Sequence, residues 1–169
     1  MRRVKRRKSP FNVHQDSRAK LSGSYARDLT SEARAVLDSV LSIENDLKMR
    51  IKMYGTTSVT TLETLRHFVK SCSDHAGHAL KKGQHRLAIE ILGICEFALN
   101  SGQAGEHPNF KFEIFNNLAH AHNVQGNVRL SLKYLKRAVE NGLKIPGLSD
   151  PFSYVGTYMI ETYLNIGNA

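Results

Sequence analysis

The stretch Asn117-Leu118-Ala119-His120-Ala121-His122-Asn123-Val124-Gln125-Gly126-Asn127 decides how this chain folds. Leu118, Ala119 and His122 fall on one face at helical spacing, and the run stops at Gly126. Glycine takes up backbone conformations that other residues resist, so a turn belongs there. A second helix is expected from Asn127 to about Leu143. The first begins near Pro108 or Asn109, where a proline suits the opening turn of a helix. The segment therefore reads as helix, tight turn, helix.

The same spacing returns upstream. Ala76, Ala79, Gly83, Ala88, Leu92 and Cys95 stand where Ala119, His122, Gly126, Ser131, Leu135 and Ala138 stand later. They fall on two further expected helices, about Leu62 to Lys82 and about Gln84 to Asn100. Downstream, the linker Lys144 to Ser149 contains Pro146 and Gly147. Asp150-Pro151 then offers a cap followed by a first-turn proline, and a fifth helix is expected to the last residue. Within it, Tyr163-Leu164-Asn165-Ile166-Gly167-Asn168-Ala169 opens the pattern a third time.

These residues resemble the tetratricopeptide repeat. The resemblance covers 62–169, with repeats at 62–100 and 109–143 and a partial one at 151–169. It implies an all-α fold, an α-α superhelix of helical hairpins. Ala119 and Ser131 are small because the helices of one hairpin approach closely there. Leu118, His122, Leu135 and Ala138 fill the space between hairpins. The period is 43 residues from Ala76 to Ala119 and 48 from Ala119 to Gly167, against about 34 in the plain repeat. The extra residues follow each second helix, and this spacing is similar to that of kinesin-light-chain repeats. The third repeat stops after its opening helix, which implies either a fragment of a longer array or some other cover for the apolar face of that helix.

Stacked hairpins of this family bind proteins along a concave wall lined by the first helix of each repeat. The resemblance places Lys70, Ser73, Gly77 and Lys81 on that wall from the first repeat. Glu113, Asn116, His120 and Asn123 come from the second, and Glu161, Leu164 and Asn168 from the third. Some relatives grip a terminal carboxylate with several Lys and Arg. Glu113 and Glu161 stand where added cations would help, so an extended or helical peptide held by Asn hydrogen bonds and apolar contacts fits better. The implied function is a non-catalytic scaffold or adaptor, with a cytoplasmic and cytoskeletal or motor-associated placement by analogy.

Before the repeats, an amphipathic helix is expected within 29–55, starting at Thr30 or Ser31 and ending at Tyr54. Val36, Val40, Ile43, Leu47 and Tyr54 form a heptad-like stripe, which Leu37, Leu41 and Ile51 widen. A face that wide packs on a globular neighbour, with a two-stranded coil as the alternative. Gly55-Thr56-Thr57-Ser58 breaks the helix.

The formal charge of +9 is concentrated at one end. Residues 1–27 carry nine cations and one anion, leaving 15 cations against 14 anions in the rest. Residues 1–28 show no apolar period and read as a disordered basic tail. Arg2, Arg3, Lys5, Arg6, Arg7 and Lys8 form a polyanion-binding cluster, suited to nuclear import, nucleic acid or an acidic protein surface. The alternative function is thus a nuclear or RNA-associated factor that uses this tail. No aromatic residue interleaves with the cluster before Phe11, so base stacking is not indicated.

No apolar run approaches the roughly 20 residues that span a bilayer. Cys72 and Cys95 make neither a disulfide framework nor a C-x-x-C motif, which points to a reducing compartment. Cys72, His75, His78 and His85 raise the question of zinc, but steps of three wind around the helix and leave no tetrahedral set. No catalytic, cofactor-binding or metal residues are assigned: nothing at catalytic spacing resembles a nucleophile triad, a phosphate loop or a carboxylate pair.

Overall fold

A computed structural model of the chain describes residues 30–101 and 105–146. Among them are five α-helices and no strand: α1 Ser31–Tyr54, α2 Val59–Lys81, α3 His85–Asn100, α4 Pro108–Val124 and α5 Val128–Gly142. The expected tail and the expected partial repeat at 151–169 lie outside the described residues. Two compact units are distinguished, with a boundary after Val36; the account below concerns the second, from Leu37 onward.

Helix α2 packs on α3 and α4 on α5, while α4 also touches both α3 and α2. The two tight turns share the same pair of closing hydrogen bonds. Gly83 donates its backbone N–H to Leu80 O and Gln84 to Ala79 O; 43 residues later Gly126 donates to Asn123 O and Asn127 to His122 O. Bonds reaching back three and five residues close the last carbonyls of a helix around a residue with positive φ. Gly83 sits at φ 71° and Gly126 at φ 85°, so glycine serves at both positions.

The small positions behave alike in both hairpins. Ala76, Ala88 and Cys95 in the first are buried, as are Ala119, Ser131 and Ala138 in the second. Larger side chains complete the core: Leu65, Phe68 and Val69 from α2, Ile91, Leu92 and Leu99 from α3, and Ile114, Phe115 and Leu118 from α4. Each such side chain contributes about 1.5–3 kcal/mol when fully buried.

Helix α2 starts earlier than its apolar period suggests. Ser58 Oγ accepts from the Thr61 N–H at 3.2 Å and donates to Thr61 Oγ1 at 2.8 Å, so a capping serine fixes the start at Val59. From Leu37 to Tyr54, α1 buries Val40, Glu44 and Leu47. Leu47 and Ile51 line a shallow crevice with Phe97, Ala98 and Ser101 at the C-terminal end of α3. The expected stripe needs two corrections. Tyr54, the last residue of the helix, is 55% exposed. Glu44 is buried in its place, its carboxylate 3.0 Å from Lys48 Nζ one turn on.

Candidate protein-interaction surface

The surface expected to hold a partner is formed by the outward faces of α2 and α4. On α4, Asn109, Glu113, His120 and Asn123 are exposed and Asn116 is half-buried. Steps of 4, 3, 4 and 3 put all five on one face of the helix. On α2, Arg66, Lys70, Asp74 and Lys81 are exposed beside the half-buried Gly77.

One polar junction holds the two helices in register. Ser73 Oγ on α2 donates to Glu113 Oε1 on α4 at 2.7 Å, and Asn117 Nδ2 donates to Ser73 Oγ at 3.1 Å. Ser73 and Glu113, expected on the wall, are thus brought together and hydrogen-bonded to each other. Lys70 Nζ reaches Asp74 Oδ2 at 2.7 Å. That hydrogen bond, followed by the charge of Asp74, raises the Lys70 pKa above its ordinary value. Lys81 lies on the last turn of α2, and His120 and Asn123 lie toward the end of α4. Glu161, Leu164 and Asn168 lie outside the described residues, as do Arg2, Arg3, Lys5, Arg6, Arg7 and Lys8.

Two features of this face were not singled out in the sequence. The Lys70–Asp74 pair was legible as opposite charges four apart. Asn117 had no such signal, because its partner lies 44 residues away. Formal charge on the face is balanced: Arg66, Lys70 and Lys81 oppose Glu63, Asp74 and Glu113. It offers mainly carboxamides, an imidazole and the bare backbone at Gly77, where an added Cβ would meet nothing within 4 Å.

Behind the face, a second network ties the hairpins together. Glu96 on α3 accepts from Tyr134 Oη at 2.9 Å and is ion-paired with Arg137, both on α5. The Arg137 guanidinium lies 4.0 Å from the Phe115 ring centroid, and His122 stacks on Tyr134. Burial, aided by the charge and hydrogen bond of Glu96, pushes the Tyr134 phenol up to about 12.

The residues weighed for zinc do not converge. Cys72 is fully buried while His78 on the same helix is exposed, and no group of three His, Cys, Asp or Glu side chains among the described residues is placed to hold a metal ion. No described helix is long and apolar enough to cross a membrane. Comparison of the chain with family models, curated proteins and solved structures gives no match.

Proposed function

We propose that this chain is a non-catalytic protein-interaction scaffold that holds a partner segment against the paired faces of α2 and α4. The observation that supports the reading is the exposed row Asn109, His120 and Asn123 beside the half-buried Asn116, set against the bare backbone of Gly77. Carboxamides both donate and accept, so they can bond the main chain of an extended peptide whatever its sequence. A glycine inside a 23-residue helix costs about 0.5–1 kcal/mol relative to alanine. Nothing within the described residues needs that space, whereas a peptide backbone lying close to α2 would. The chain's resemblance to tetratricopeptide repeats, with the two superposable turns and buried small positions, supports the same reading.

The test is a peptide-display selection on the full chain, followed by affinity measurements on the selected peptide. His120→Ala with Asn123→Ala, and separately Gly77→Leu, should each weaken binding about tenfold or more while leaving the helical spectrum intact. Unchanged affinity in both variants would overturn the assignment of this face. Deleting residues 1–28 separates the rival function. Nucleic-acid binding at physiological salt that disappears with the deletion would favour the nuclear or RNA-associated reading. Peptide binding that survives the deletion favours the scaffold.

A further inference from the structure

Cys72 on α2 and Cys95 on α3 are fully buried and free. The turn at Gly83 and Gln84 fixes which residues of these two helices face each other. Ala79 and Ala88 each lie four residues from that turn, Ala76 and Ile91 seven, Cys72 and Cys95 eleven, and Phe68 and Leu99 fifteen. All of them are buried, as the seam of an antiparallel helix pair must be. The cysteines thus stand opposite one another, and their thiols are hydrogen-bonded.

The seam does not need sulfur at this level. At the matching distance from Gly126 and Asn127, the second hairpin has Phe115 and Ala138, both buried. A large apolar side chain facing a small one fills the space there. What two thiols add is the capacity to bond. A disulfide needs Cβ atoms about 3.5–4.5 Å apart. The small residues Ala76, Ala79 and Ala88 let α2 and α3 approach closely, and hydrogen-bonded thiols are already within reach of that spacing.

The surroundings also select the product. Burial is the largest cause that disfavours a thiolate at Cys95, and the Cys72 thiol and the Glu113 and Glu44 carboxylates add to it. A sulfinate would meet the same opposition. A mixed disulfide carrying a charged tripeptide has no room in a close-packed seam. A bridge between the two sulfurs is neutral and occupies the space of the two thiols.

We propose that Cys72 and Cys95 are a modification site: they form a reversible disulfide that fastens α2 to α3, made by exchange with a low-molecular-weight disulfide. One cysteine thiolate attacks a sulfur of the small disulfide and releases one small thiol. The other cysteine, as thiolate, attacks the cysteine sulfur of that mixed disulfide and releases the second small thiol. Two cysteine thiols are oxidised to one bridge, and one small disulfide is reduced to two small thiols that carry away both protons. Exchange passes through an opened helix pair, because neither thiol reaches solvent in the folded chain. A reducing compartment keeps the pair open, and a rise in small disulfides closes it. The bridge does not depend on the α2–α4 face holding a partner.

The experiment equilibrates the full chain with mixtures of oxidised and reduced glutathione, starting from reduced and from pre-oxidised protein until the two agree. Acid quenching, alkylation in denaturant and peptide mapping by mass spectrometry then count the Cys72–Cys95 bridge. A second series in urea repeats the measurement on the unfolded chain. Folding sets the thiols face to face, so the native chain should favour the bridge about tenfold or more over the unfolded one. The bridged chain should melt several degrees above the reduced chain, and dithiothreitol should reverse the shift. Cys72→Ala and Cys95→Ala should each melt at a temperature that does not depend on the glutathione ratio.

Equal bridging in the native and unfolded chains would overturn the inference, as would a native chain that stays dithiol at every ratio. So would glutathione adducts or cross-linked dimers as the main native product, or a bridged chain that melts at or below the reduced one. A glutathione-dependent melting shift that persists in either variant would also overturn it.

Discussion

The His122 imidazole lies on the Tyr134 ring, with centroids 5.4 Å apart and planes 6° from parallel. His122 is buried, and its Nδ1 has no hydrogen-bond partner among the described residues. Burial disfavours the charged ring and holds its pKa below the ordinary 6.5, while the Glu96 carboxylate pulls more weakly the other way. As pH falls, the unfolded chain takes up this proton before the folded one does. Stability is therefore full above pH 6.5 and declines as pH drops below it. The slope from one such proton is at most about 1.4 kcal/mol per pH unit. His122→Phe keeps a stacked ring and removes the proton. Its melting temperature should fall less than that of the parent between about pH 7 and 5. Parallel curves would show that His122 does not titrate in this window.

The Tyr134–Glu96–Arg137 network predicts the opposite sign in alkali. The Tyr134 phenol is raised from 10.0 to about 12, so its stabilisation is complete below pH 10 and is lost as pH climbs toward 12. Phenolate absorbance should show a late step near pH 12, and Tyr134→Phe should remove it. Losing the hydroxyl should cost about 1 kcal/mol in urea melts. Glu96→Gln keeps an acceptor but not the charge, and should bring the late step down toward the ordinary value without reaching it, since burial is the largest cause. A Tyr134 that titrates near 10 in the parent would contradict the buried geometry.

How much of this could be read beforehand depended on sequence distance. The turns were legible because Gly83 and Gly126 act through their own backbone. The small positions Ala76, Ala88, Ala119 and Ser131 were legible because burial at a hairpin contact recurs with the helical period. The start of α2 was not, since it rests on one hydroxyl, Ser58 Oγ, bonded to Thr61. The Ser73–Glu113 and Glu96–Arg137 pairs span 40 and 41 residues. Nothing in local periodicity distinguishes them from any other polar residues on helix surfaces. Tyr54 was misplaced on α1 and the burial of Glu44 was missed, because a heptad stripe records spacing and not which positions a neighbouring element covers.

Cys72 and Cys95 test the tightness of the first hairpin. Both are fully buried and unbridged. Burial pushes the Cys95 thiol well above its ordinary value, and the Cys72 thiol beside it adds to the shift. The reactive thiolate is thus scarce and out of reach in the folded chain. Alkylation near neutral pH should proceed for both thiols at one rate, and that rate should rise with urea in parallel with unfolding. Rapid modification of either cysteine in the native protein would mean that α2 and α3 part locally, without global unfolding.

Two glycines in similar helices should respond in opposite directions to an added side chain. Gly77 lies inside α2 with no positive φ, and an added Cβ meets nothing. Gly77→Ala should therefore stabilise the chain by about 0.5–1 kcal/mol, through lower unfolded-state entropy and better helix propensity. At Gly126 the space is equally open, but φ is 85°. A branched side chain there incurs the strain of the left-handed region, about 1–2 kcal/mol or more. Gly126→Val should lower the melting temperature by several degrees, and substitutions of the cations at 2–8 should leave it unchanged. Because neither site has a steric conflict, the difference isolates backbone conformation as the cause. If both glycine variants melted above the parent, the turn at 125–127 would not need its positive φ, and the repeated hairpin geometry would lose its basis.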